Sequence, residues 1–245
     1  MTATGDGLVW YAAYGSNLWS ARFLTYLAGG PVPLSPTARV QAGARDPSPP
    51  RDDRPARLPG RVLFGRSSAG WGGGGVAFLD PEPEPEPGPA PGAEPETGAA
   101  PAPGAECPVL GRLWLITADQ FADVASQENG HPVAPEAAHP SAVAPGRHLD
   151  VGPGWYGRLL HLGDGPDGHP ILTFTCPDPR PSALPRRPAH PAYREVVARG
   201  LTETWGLTVG EAAAYLAGCD GGSAPEAATS PNLTGSARPG RHLPA

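Results

Sequence analysis

Lysine is absent from this 245-residue sequence: all 18 basic residues are Arg. A catalytic Schiff base and a P-loop phosphate cradle both rest on a Lys, so neither can be this chain's device. Cysteine is scarce. Cys107, Cys176 and Cys219 are odd in number, far apart and without a CxxC pair, which leaves no disulfide framework and no zinc ribbon and fits a reducing cytoplasm. No apolar run reaches the roughly 18 to 20 residues of a membrane span. The opening MTATGDG lacks the charged and apolar regions of a signal peptide, so a cytoplasmic protein without a membrane partner is expected. His131, His139, His148, His161, His169 and His190 show no HxxxH or HxH spacing, and no metal is expected. A GxSxG elbow is also missing, which argues against Ser16 as the nucleophile of a hydrolase triad.

Proline and glycine are plentiful, at 35 and 34 residues, and unevenly placed. Residues 81–106 read PEPEPEPGPAPGAEPETGAAPAPGAE, with six glutamates, no basic residue and no large apolar side chain. Such a segment has too little to bury to offset its ordering entropy, so it reads as a disordered insertion. Its six glutamates account for the whole net charge of −6, which leaves the rest of the chain balanced. With no basic stripe, nucleic acid is not an expected partner. The expectation is one domain over 8–217, interrupted by 81–106 and followed by a disordered Gly/Ser/Pro/Ala tail over 218–245.

Residues 8–14 (LVWYAAY) are short and apolar, as in a buried strand. Gly15, Ser16 and Asn17 then turn the chain into a helix patterned on Leu18, Arg22, Phe23, Tyr26 and Leu27 and stopped by Gly29, Gly30 and Pro31. Residues 32–60 read as loop with one strand near Val40. Further strands are expected at 61–66, 75–79, 109–116, 156–162 and 170–175, each bounded by Gly, Pro or Asp. Thr117 and Gln120 have capping-box spacing ahead of a helix running from Ala118 to about Glu128. A helix from Pro191 to Trp205 and a shorter one after Thr208 to Leu216 complete the set. Short strands with few helices give an α+β fold built on a curled mixed or antiparallel sheet.

Two places can carry chemistry. A strand leading through Gly15-Ser16-Asn17 into a helix aims backbone N–H groups outward, which suits a carboxylate or an oxyanion; an ordinary capped turn is the alternative. In the helix after the insertion, Phe121, Val124, Ala125 and Glu128 stand at i, i+3, i+4 and i+7, so Glu128 projects from the apolar face. A solvent-facing glutamate on a last turn is the alternative there. Trp71 with Gly72 to Gly75 reads either as a lip over a pocket or as a loop entering the next strand.

Tyr11-Ala12-Ala13-Tyr14-Gly15-Ser16-Asn17-Leu18 resembles the signature of the γ-glutamylcyclotransferase family, in which an aromatic strand enters a YGSNL or YGSNM loop. Gly111-Arg112-Leu113-Trp114-Leu115-Ile116 through Glu128-Asn129-Gly130 resembles that family's strand, helix and terminal glutamate, although family members often place Gly directly after the Glu. The resemblance implies a γ-glutamylcyclotransferase-like fold, curled toward a β-barrel. It implies that Tyr14, Gly15, Ser16, Asn17 and Leu18 hold the γ-glutamyl part of a small-molecule amide, and that Glu128 is the general acid/base. It also places the Tyr156 phenol in the pocket, where a core tyrosine with a satisfied hydroxyl is the other reading. The implied reaction is cyclisation to 5-oxoproline with release of an amine and no cofactor. A non-catalytic binding relative, or an amide hydrolase or deacylase in which Glu128 activates water, stands beside it. Neither the leaving amine nor the oligomeric state can be read from the residues.

Overall fold

The computed structural model describes residues 7–81, 109–131, 139–165, 167–177 and 181–219. The expected disordered insertion, apart from Pro81, and the expected tail, beyond Cys219, lie outside the described residues. The fold is mixed α+β, with a mostly antiparallel sheet and four α-helices.

The strands are β1 (Leu8–Ala13), β2 (Gly30–Pro31), β3 (Val40–Gln41), β4 (Asp52–Leu58), β5 (Arg61–Ser68), β6 (Gly74–Asp80), β7 (Val109–Thr117), β8 (His148–Asp150), β9 (Arg158–Asp164) and β10 (Pro170–Thr175). The helices are α1 (Ser20–Ala28), α2 (Ala118–Glu128), α3 (Pro191–Trp205) and α4 (Val209–Cys219). The main sheet has the order β4-β7-β1-β10-β9-β8, and only the β1–β10 pair is parallel. β5 and β6 form a separate antiparallel hairpin, and β2 pairs with β3.

β1 lies inside the sheet and all six of its residues are buried. Successive side chains of a strand face opposite ways. Val9, Tyr11 and Ala13 accordingly join one core with Phe23, Tyr26, Phe121 and Val124 from α1 and α2. Trp10, Ala12 and Tyr14 join the other, with Phe64 and Phe78 from the hairpin and Val196 and Leu201 from α3. Two covered faces explain why this strand reads as an unbroken apolar run.

Three strands differ from the sequence expectation: β2, where Gly30 and Pro31 are expected only as a helix stop, β4 and β8. β4, DDRPARL, falls in a stretch expected to be loop, yet it pairs with β7 from Asp52↔Leu115 to Leu58↔Val109. It is the sheet's edge, where charged residues and Pro55 are tolerated because one side needs no ladder partner. β8 is the opposite edge, three residues long and mostly exposed. The helix expected from Leu18 is also delayed. Ser16–Leu18 forms a single 3-10 turn, Trp19 is extended with φ −83° and ψ 123°, and α1 starts at Ser20.

A polar clasp fixes this loop against the sheet and α3. The Arg112 guanidinium donates to the Leu18 carbonyl at 3.0 Å, to Glu203 at 2.7 Å and to Asp53 at 2.9 Å. Glu203 in turn accepts from Ser20 Oγ at 3.0 Å. Burial pushes the Glu203 carboxyl up, but Arg112 and Ser20 outweigh it and hold the group below the ordinary glutamate value of 4.5. A depressed carboxylate contributes stability above the unfolded-state value that is lost as pH falls through the folded one. The thermal midpoint is therefore expected to drop as pH is lowered below about 4.5, and Glu203→Gln to flatten that part of the curve. An unchanged acid limb in the variant would rule this contribution out.

Candidate active site

The residues marked in the sequence converge on one cavity of about 110 Å³ between the loop after β1, the hairpin and the end of α2. Tyr14, Gly15, Ser16, Asn17, Glu128 and Tyr156 all line it. Leu18 does not: its side chain is fully buried in the core, and only its carbonyl takes part, as the acceptor for Arg112. Tyr11, Arg22, Arg39, Phe174 and Tyr193 line the cavity without having been marked as site residues, and Trp71, read as a lip or as part of a loop entering the next strand, lines it from the loop before β6 with its side chain buried.

Glu128 reaches the cavity because α2 is registered at both ends. At the start, the Thr117 hydroxyl accepts from Gln120 N at 3.1 Å and Gln120 Oε1 accepts from Thr117 N at 3.0 Å, a complete capping box. At the other end Asn129 brackets the Tyr156 backbone: its Nδ2 donates to Tyr156 O at 3.1 Å, and its Oδ1 accepts from Tyr156 N at 2.9 Å. The residue that separates Glu128 from Gly130 thus ties the helix end to the strand entering β9.

Asn17, 111 residues away in sequence, donates from Nδ2 to Glu128 Oε1 at 2.9 Å and to the Tyr11 hydroxyl at 2.9 Å. The Glu128 carboxylate requires the amide nitrogen on that side, because a flipped amide would set oxygen against it, and the Tyr11 hydroxyl, able to donate or accept, then accepts from the same nitrogen. Asn17 is itself held by Trp114 Nε1, which donates to its carbonyl at 3.0 Å.

Glu128 is half-buried and, among the described residues of the lining, is the only carboxylate, with no His or Cys beside it. The phenols around it are not rival bases. Burial, reinforced by the Glu128 charge, pushes the Tyr11 and Tyr26 hydroxyls well up. Burial dominates the upward shifts of Tyr14 and Tyr156 as well, and Tyr193 is pushed up to about 12. All five therefore stay protonated near neutrality and act as hydrogen-bond donors or spacers. Tyr14 donates to Phe174 O at 2.7 Å, and Tyr156, which lines the cavity, donates to Ala77 O at 3.0 Å. The two sequence readings of Tyr156 are thus compatible: it lines the cavity with its hydroxyl satisfied.

Gly15 is needed for space. A Cβ there would lie 2.9 Å from the Tyr193 hydroxyl and 3.1 Å from Ala77 Cβ, and that hydroxyl is fixed by accepting from Ala77 N at 3.1 Å. Gly15→Ala is expected to weaken ligand binding at least about tenfold, since small displacements in a site are costly, with little change in thermal midpoint. Calorimetric titration beside a melting curve reads both; undiminished affinity would contradict the close packing.

A second cavity, about 330 Å³, lies behind the end of α2 and is lined by Ser126, Asn129, His131 and Val151 with neighbouring glycines. It contains none of the marked residues, and the smaller, polar cavity has the better-defined chemistry. Among the described residues no three His, Cys, Asp or Glu side chains gather as a metal site, and no helix is long and apolar enough to cross a membrane.

No family model matches the chain. It is 37% identical over 221 residues to a protein named histone deacetylase 5 from Arabidopsis thaliana, with 85% of this chain and 30% of that protein covered. The chain thus spans under a third of the length of that curated relative. Among solved structures, the human protein described as uncharacterized protein loc79017 aligns over 86% of this chain and 87% of its own, with a TM-score of 0.45 and 16% identity. That likeness is too loose to define the fold.

Proposed function

We propose that the chain is a γ-glutamylcyclotransferase-like enzyme that cyclises a γ-glutamyl amide, releasing 5-oxoproline and an amine. In this reading the main sheet and the β5–β6 hairpin are parts of one curled, barrel-like wall, joined where Thr175 Oγ1 donates to Leu79 O at 2.7 Å. The observation that carries the proposal is the 2.9 Å bond between Asn17 and Glu128. It brings the YGSNL loop and the glutamate of a distant helix to one cavity in which Glu128 is the only carboxylate among the described residues.

The chemistry needs no cofactor. The substrate's α-amine attacks its own γ-carbonyl carbon, and Glu128 accepts a proton from that nitrogen as the ring C–N bond forms. The tetrahedral oxyanion is stabilised by backbone N–H groups at Gly15, Ser16 and Asn17, which begin a helical turn and so precede any acceptor within it, with the Ser16 N–H turning to the oxyanion from the Tyr193 hydroxyl that it faces in the free protein. Collapse breaks the original γ-amide C–N bond, and protonated Glu128 returns the proton to the departing amine. The tethered nucleophile gives the step its high effective molarity, leaving the protein mainly to orient the chain and move one proton.

A second reading has one observation in its favour. The 37% identity is to a protein named a deacetylase, and Glu128 placed beside bound water would suit amide hydrolysis. Incubation with a panel of γ-glutamyl amides and an acetyl-lysine peptide separates the outcomes. The proposal expects 5-oxoproline and free amine. Free glutamate or acetate would replace it with hydrolysis, and binding without product would make the domain a small-molecule-binding module.

A further inference from the structure

Two arginines line the cavity that the reaction leaves unassigned. Arg22, on α1, is only 1% exposed. Its Nη1 donates to Thr25 Oγ1 at 2.9 Å and its Nη2 to the Tyr26 hydroxyl at 2.6 Å, and the guanidinium lies 4.1 Å from the centre of the Tyr26 ring. These partners are neutral, and Arg22 Nε is buried without any partner. Among the described residues neither Arg22 nor Arg39 forms a salt bridge. Glu128 lies on the far side of the Tyr26 hydroxyl, but a buried guanidinium with an unpartnered Nε is still costly to the fold, so its retention fits an anion that arrives with a ligand and takes that Nε.

Arg39 is half-buried at the same cavity, and its placement is built with strain. The turn before it holds two non-glycine residues in the left-handed region, Leu34 at φ 57° and Ala38 at φ 51°. That turn is closed by Val32 N donating to Arg39 O at 2.8 Å and anchored by Thr37 Oγ1 donating to Gly70 O at 3.3 Å. The Arg39 side chain lies across Gly70, where an added Cβ would meet its Cδ at 2.6 Å. This sets it beside Ser68 and Trp71 of the cavity wall. Left-handed conformations of residues with a Cβ persist where surrounding contacts enforce them, often at ligand sites. Arg22, Arg39 and Glu128 line the same cavity, and each acts electrostatically on the Tyr26 hydroxyl.

We propose that Arg22 and Arg39 form a carboxylate subsite of this cavity, selecting amides whose γ-glutamyl group keeps a free α-carboxylate. The substrate class rests on the cyclisation reading; the anion subsite rests on the two arginines alone. Among the described residues two positive groups and one negative line the cavity, so one bound carboxylate balances their charge with the α-amine neutral, the form that attacks. The same positive field disfavours the ammonium form of that amine. With the carboxylate held by guanidinium groups, the loop N–H groups remain for the oxyanion.

The test compares 5-oxoproline with pyrrolidinone, the same lactam without the carboxylate, by calorimetric titration of the full chain. The parent protein is expected to bind 5-oxoproline about tenfold to a hundredfold more tightly, as a charge-assisted contact allows. Arg39→Gln, a half-exposed change that leaves the core intact, should remove most of that preference and leave pyrrolidinone unaffected. Equal affinity for the two lactams, equal weakening of both by Arg39→Gln, or no binding of either would overturn the subsite. Turnover of γ-glutamyl amides and of their α-carboxamide counterparts at equal kcat/KM would overturn it while leaving cyclisation intact. Arginine-dependent binding of 5-oxoproline without turnover of any γ-glutamyl amide would sustain the subsite and remove the cyclisation reading.

Discussion

Glu128→Gln is expected to leave the protein folded and able to bind 5-oxoproline while slowing turnover about 10² to 10⁴-fold, the usual cost of losing a general base. The side chain keeps its length, and Gln Oε1 still accepts the Asn17 Nδ2 hydrogen that now reaches Glu128 at 2.9 Å. What disappears is the ability to take a proton from the α-amine and return it to the leaving group. No other described residue of the lining replaces it, because the phenols hold their protons and the arginines hold theirs. kcat should fall with KM nearly unchanged, the pattern of an interaction confined to the transition state. A variant with parental kcat would exclude Glu128 as the proton carrier.

Gly200→Ala should destabilise the fold even though alanine is the better helix former. In an exposed helix interior the change gains about 1 kcal/mol. Here α3 packs its Gly200 directly on the loop after β1, and an added Cβ would lie 2.6 Å from Trp19 N and 2.7 Å from Leu18 C. These are backbone atoms, so no rotamer change relieves the contact. Overpacking of this kind costs about 1 to 3 kcal/mol, and for a domain of this size each kcal/mol moves the midpoint by about 2 to 4 °C. The thermal midpoint should therefore fall by several degrees, with activity falling too because the displaced backbone carries Ser16 and Asn17. A rise in midpoint would show that α3 does not press on the loop as described.

How far the site could be read from sequence depended on whether its signal was local. Glu128 was legible because the apolar spacing of Phe121, Val124 and Ala125 points it inward, and the capping box at Thr117 fixes the helix start. Asn17 was marked through its loop, but its bond to Glu128 joins residues 111 positions apart, and nothing in either segment announces the other. Arg22 already stood in the helix pattern with Phe23 and Tyr26; its position on that apolar face was the available sign that a charge was being buried. Tyr193 enters from the first turn of α3 and Arg39 from a strained turn, and neither had a spacing to betray it. In the fold, the buried strands were legible because their apolar runs are continuous. β4 was not, because an edge strand can be charged and carry proline while its pairing comes wholly from β7. Leu18 shows the reverse, a loop residue marked for the site whose side chain belongs to the core.

The central claim, that this cavity closes a γ-glutamyl chain on its own amine, is tested most directly by running the reaction in water enriched in heavy oxygen and weighing the product. Intramolecular attack uses no water, so the account predicts 5-oxoproline without the label beside one equivalent of free amine, formed about 10² to 10⁴-fold more slowly by the Glu128→Gln protein. Glutamate carrying one labelled oxygen would mean that water is the nucleophile and would contradict it.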